Sequence, residues 1–159
     1  MTAHAGAFAL WGPDHLAVLG LTVGGIAALL MSRRRLQRLS DIRLRRGIAI
    51  ALFGNDLVAW VGAAAQGVVR IPLQLCDLAL LLTVAALWNP RPRVCELAYF
   101  WGVVGSSQAI LTPDLEHAFP DYWWLKFFAT HCGMVLSMVY LAVMGRVQLT
   151  DRAVWRVWG

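Results

Sequence analysis

The side chains able to do chemistry in this sequence are few. Cys76 is followed by Asp77, and His131 by Cys132, while His15, Gln108 and Asp114 stand apart in sequence. A free thiol is mostly protonated at neutral pH. An imidazole within reach can take that proton and leave a thiolate, the form that attacks carbonyl carbon. In such an arrangement Cys76 is the nucleophile and His131 the base. Asp77 or Asp114 could orient the imidazole, Gln108 could donate to an oxyanion, and His15 would support the group. The chemistry is acyl transfer through a thioester.

The elements that must position these groups are membrane helices. Of the 159 residues 59% are apolar and only 14% are charged, against about 25% charged in an ordinary soluble domain. The apolar residues fall in runs about as long as a hydrocarbon core is thick. The reading is an all-α polytopic transmembrane bundle, one domain over 1–159, with five helices at about 15–31, 47–65, 72–88, 94–111 and 122–144. Pro72 suits a first turn, where its missing N–H has no helical partner anyway. In the first helix Gly20, Gly24 and Ala28 share a face that would allow close helix contact. Asn55 and Asp56 interrupt the second at mid-depth, where polar groups face protein or a watery cavity. Interhelical hydrogen bonding and a direct site role are both open to that pair.

Charge sets the orientation. Arg33, Arg34, Arg35, Arg38, Arg43, Arg45 and Arg46 lie between the first two helices, Arg91 and Arg93 in the second basic turn, and Arg146, Arg152 and Arg156 in the tail. Five crossings place all of these on one side and leave only Arg70 and Lys126 on the other. This is the positive-inside pattern, with the N-terminus outside and the C-terminus cytoplasmic. The net charge of +5 is therefore a matter of topology rather than of nucleic-acid binding. Three Cys with no repeated spacing do not make a disulfide framework. The N-terminus lacks the basic n-region of a cleaved signal.

A rise of about 1.5 Å per residue then gives depths. Cys76 and Asp77 lie one turn below the outer end of the third helix, Gln108 one turn below that of the fourth, and His131 two turns below that of the fifth. His15 is at the outer mouth of the first helix, and Asp114 follows shortly after Gln108. The substrate at this depth would be a lipid, whose ester sits near the headgroup boundary. Other readings compete. Membrane Cys residues commonly serve only packing. Cys76, Asp77, His131 and Cys132 have the types of a zinc or copper set, but no ligand spacing supports one. Asn55, Asp56, Asp77 and Glu96 could instead line the polar path of a transporter.

Five words occur in order: Gly12-Pro13-Asp14-His15-Leu16, Pro72-Leu73-Gln74-Leu75-Cys76-Asp77, Glu96-Leu97-Ala98-Tyr99-Phe100-Trp101-Gly102, Gln108-Ala109-Ile110-Leu111-Thr112-Pro113-Asp114 and Phe127-Phe128-Ala129-Thr130-His131. Together they resemble the bacterial YwaF-like integral membrane proteins, which are related to transmembrane protein 164 of animals. The resemblance implies a phospholipid acyltransferase, with its essential cysteine at Cys76 and its histidine at His131. Gln74 stands where that family carries His, and Gln cannot act as a base. The family resembles a larger bundle of about seven helices, so the resemblance leaves a fragment, a shortened member or a protein needing a partner as alternatives.

The expectation is an integral membrane acyltransferase moving a fatty acyl chain between phospholipids through a cysteine thioester. The alternative is a non-enzymatic transporter, sensor or assembly subunit. The partners are a membrane phospholipid or lysophospholipid and the bilayer, with no nucleic acid, no cofactor and no metal. The location expected from the resemblance is the bacterial plasma membrane, crossed several times.

Overall fold

A computed structural model describes residues 6–38, 41–69, 71 and 73–147. All of its regular elements are helical: α1 (Pro13–Met31), α2 (Arg33–Leu36), α3 (Ile42–Ala65), α4 (Leu75–Trp88), α5 (Pro92–Tyr99), a π-helical segment (Phe100–Gly105), α6 (Ser106–Leu111) and α7 (Tyr122–Val143). α5, the π segment and α6 run on as one rod, Pro92–Leu111. Local sequence explains the starts. α1 opens with Pro13 in its first turn after Gly12, where a missing N–H costs nothing. α7 opens on Asp121, whose carboxylate accepts the Trp123 N–H at 2.8 Å, a cap for one of the orphan amides.

Among the described residues four rods are long and apolar enough to cross a membrane: α1, α3, Pro92–Leu111 and α7. The third expected crossing is shorter than the sequence reading. α4 begins at Leu75 rather than at Pro72 and has 14 residues, a length of about 21 Å at 1.5 Å per residue. Pro72 itself, like Arg70, Arg152 and Arg156, lies outside the described residues. Two other boundaries move. α3 starts at Ile42, so Arg43, Arg45 and Arg46 belong to its first turns rather than to a loop. The fourth rod is not a continuous α-helix, because Phe100–Gly105 is wound as a π-helix.

α7 is the central element, packed against α1, α3, α4, α5, the π segment and α6. Ala49, Leu52, Leu80, Leu87, Met134, Met138 and Leu141 form one buried cluster, and Ile110, Trp124, Phe128 and Val135 a second. The small-residue face expected at Gly20, Gly24 and Ala28 is exposed, and a Cβ at Gly20 or Gly24 would meet nothing within 4 Å. The close contacts are made by other glycines. Gly25 lies against Leu136, and Gly133 against Leu52.

The arginine-rich segment is tied to the ends of α4 and α7. Arg45 is buried. Its Nε donates to Asp41 at 2.9 Å, and its guanidinium donates to the Leu87 carbonyl. Gln37 donates to the Val143 carbonyl at 2.8 Å, and Arg146 lies 3.7 Å from Asp41. These contacts answer carbonyls left open by the ends of two helices. They bring the arginine-rich segment, the turn after α4 and the end of α7 to one end of the bundle.

Candidate functional site

Cys76 is the second residue of α4 and is exposed. It opens on a cavity of about 390 Å³ between the first turns of α4 and the π segment, lined also by Leu75, Ala79, Phe100, Val104 and Gly105. Single π turns inside a helix recur at functional sites because they widen the backbone and re-aim side chains. Here the π segment supplies one wall of the space in front of the thiol.

His131 is buried on α7. Its Nδ1 lies 2.8 Å from the Phe127 carbonyl. A carbonyl can only accept, so Nδ1 carries the proton and Nε2 keeps its lone pair. Nε2 is buried and has no hydrogen-bond partner among the described residues. An imidazole held in this tautomer can accept a proton at Nε2. Phe127 stacks against it, with the ring centroids 4.1 Å apart.

Between α3 and α7 lies a polar cluster that fixes this part of the bundle. The Lys126 ammonium pairs with Asp56, and Thr130 Oγ1 donates to the same carboxylate at 2.8 Å. Asn55 Nδ2 donates to Thr130 Oγ1 at 2.9 Å and to the Lys126 carbonyl at 3.2 Å. Asn55 and Asp56 thus take interhelical hydrogen bonds. Lys126 and Thr130 were missed as members of this cluster. Their signal was an i, i+4 pair on one helix face, with the cation at a depth where it needs a partner. Both Cys76 and His131 lie within electrostatic reach of the Lys126–Asp56 pair. No hydrogen bond joins Cys76 to His131 among the described residues.

The other expected site residues are placed as follows. Asp77 Oδ2 accepts the Gln74 N–H at 3.2 Å, the reach-back of a capping box. Gln74, at the position where the family resemblance led us to expect His, is the N-cap residue of α4. Gln108 is exposed and donates to Thr112 Oγ1 at 2.9 Å, along its own helix. Asp114 is exposed in the loop after α6. His15 is fully buried. Its Nδ1 accepts the Trp11 N–H at 3.1 Å, so its Nε2 carries the proton and donates to the Ile110 carbonyl at 2.8 Å. Both ring nitrogens are in use, and the ring clamps α1 to the end of α6. The metal set does not assemble: among the described residues no three His, Cys, Asp or Glu side chains gather around one point. Cys132 turns instead to Thr22 of α1.

A sequence profile of the TMEM164 family matches residues 10–159. An uncharacterized protein of Treponema pallidum (strain Nichols) is 28% identical over 155 residues, which cover 94% of this chain. The chain spans 64% of the length of that relative. No solved structure matches.

Proposed function

The chain belongs to the TMEM164 family, and from that premise we propose that it transfers a fatty acyl chain between phospholipids through a thioester on Cys76. The observation that carries the reading is the exposed thiol opening on an apolar cavity in a helical membrane bundle. His131 supports it with a buried Nε2 that can accept a proton.

The steps balance. The Cys76 thiol gives its proton to His131 Nε2, and the thiolate adds to the ester carbonyl of a phospholipid. The carbon–oxygen bond breaks, the lysophospholipid leaves with the proton from His131, and the acyl group stays on sulfur. The hydroxyl of a second lysophospholipid then attacks the thioester, again giving its proton to His131. The carbon–sulfur bond breaks and the thiol is restored. Asp77 acts in this scheme by holding the first turn of α4, and with it Cys76, through the Gln74 N–H. His15 acts by clamping α1 to the end of α6, and Gln108 and Asp114 lie exposed at and just after that end. The thiol end faces the outer leaflet and the arginine-rich end the cytoplasm, as the positive-inside rule implies, in a bacterial plasma membrane crossed several times.

The test is incubation of purified protein with a defined phospholipid and lysophospholipid. Mass spectrometry of intact protein then seeks an acyl adduct, and lipid analysis seeks the transferred chain. The expected result is an adduct on Cys76 and loss of transfer in Cys76→Ala. Transfer unchanged in Cys76→Ala rejects the assignment. A transporter would instead depend on Asp56 and Glu96, and flux in liposomes with Asp56→Asn beside Cys76→Ala separates the two.

A further inference from the structure

We infer that the cavity beside Cys76 holds a single fatty acyl chain, and that Gly105 sets how far along the π segment that chain can run. The ligand class rests on the acyl-transfer reading above; the placement rests on the cavity itself.

The walls demand nothing polar. Besides the thiol, the lining is Leu75, Ala79, Phe100, Trp101, Val104 and Gly105. One hydroxyl, that of Ser106, borders the space, and it is buried and turned towards Met134 Sδ at 3.9 Å. A polar ligand would lose its water here and gain no partner. The volume is also selective. At about 390 Å³ it lies at the small end of the roughly 300–1,000 Å³ that drug-sized ligands occupy. That suits one hydrocarbon chain rather than a whole two-chained lipid. Leu75 and Val104, both well exposed, border it on the lipid-facing side. A chain can therefore enter sideways from the bilayer, which places its ester near Cys76.

Gly105 has φ −64 and ψ −46, ordinary helical angles that any L-residue adopts. A Cβ added there meets no atom within 4 Å. Neither backbone geometry nor helix packing requires glycine at 105. Gly105 lines the cavity, and a Cβ placed there finds open space, so a bulky side chain at 105 has room to project into the space that an acyl chain would fill.

The experiment reads Cys76 directly and needs no turnover. The full chain in one detergent is treated with N-ethylmaleimide and, separately, N-dodecylmaleimide. In each case the thiolate adds to the maleimide alkene, with no leaving group. Peptide mass spectrometry gives the rate at Cys76, apart from Cys95 and Cys132. The readout is the ratio of long-chain to short-chain rates, so detergent partitioning cancels between variants. Gly105→Phe is expected to lower the ratio about tenfold or more, the scale on which a filled apolar pocket discriminates. The ethyl rate should hold. Gly105→Val should fall between, and Gly62→Phe, on the exposed face of α3, should match the parent. A ratio unchanged in both Gly105 variants overturns the inference. If Gly105→Phe does not fold, Gly105→Val decides alone. A lowered ratio in a protein that shows no acyl transfer would keep the chain site and reject the enzymatic reading, so the two fail separately.

Discussion

Lys126 of α7 is paired with Asp56 of α3, and the Asp56 side chain is only 2% exposed. Removing one partner of a buried pair strands the other charge. Lys126→Met should therefore destabilise the bundle by about 3–5 kcal/mol. Asp56→Asn with Lys126→Met should recover much of that loss, because Asn can still accept from Thr130. Unfolding of the single and double variants in detergent checks this. Equal, additive losses would mean that the pair is not coupled.

His131 and His15 should separate cleanly. His131→Gln removes Nε2, the His131 ring nitrogen with no hydrogen-bond partner among the described residues. On the proposed mechanism it should slow acyl transfer by about 10²–10⁴-fold, the usual contribution of a general base. The melting temperature should fall modestly, because the Phe127 ring contact is lost, far too little to account for that loss of rate. His15→Ala frees the Trp11 N–H and the Ile110 carbonyl at a cost of about 1–3 kcal/mol for buried groups left unpaired. Its effect should appear in the melt first. Transfer rates and melts of both variants give the comparison.

The helical class and the positions of four long rods could be read from the sequence because hydrophobic length and charge bias are properties of contiguous residues. Cys76 and His131 could be picked out by residue type alone. Three features could not. The π turn at Phe100–Gly105 leaves no mark in apolar composition, which does not register how the backbone is wound. The late start of α4 depends on Gln74 and Asp77 meeting at its N-terminus, and Gln is not among the favoured N-cap residues. The Lys126–Asp56 pair joins residues seventy positions apart, and only the packing of α3 on α7 decides that they meet.

Arg45 should behave as a structural residue despite lying in a run of basic residues. Its guanidinium serves both Asp41 and the Leu87 carbonyl at the end of α4. Arg45→Met leaves Asp41 with the 3.7 Å contact to Arg146 and the Tyr140 hydroxyl, neither of which replaces the buried guanidinium, at a cost of about 3–5 kcal/mol. Arg34→Met, on the exposed α2, should cost almost nothing. Melts of the two variants test the contrast, and similar small effects would return Arg45 to a topological role alone.

Glycine patterning in α1 points to Gly20 and Gly24 as the packing face, whereas the close approach is at Gly133 of α7. A Cβ there would sit 2.6 Å from Leu52 Cδ2. Leu52 is itself buried, so its side chain has little space into which to turn. Overpacking of this kind costs about 1–3 kcal/mol, and Gly133→Ala should destabilise by that amount. At Gly24 the added methyl meets nothing. Alanine also favours helix over glycine by about 0.8–1.0 kcal/mol, so Gly24→Ala should be neutral or stabilising. The decisive variant is the double one. Shortening Leu52 to Ala opens a cavity and is destabilising alone, yet Gly133→Ala on that background should cost less than it does on the parent. Unfolding free energies of the four proteins measure the coupling. If the alanine at 133 costs the same in both backgrounds, the contact between Gly133 and Leu52 does not set the spacing of α3 and α7.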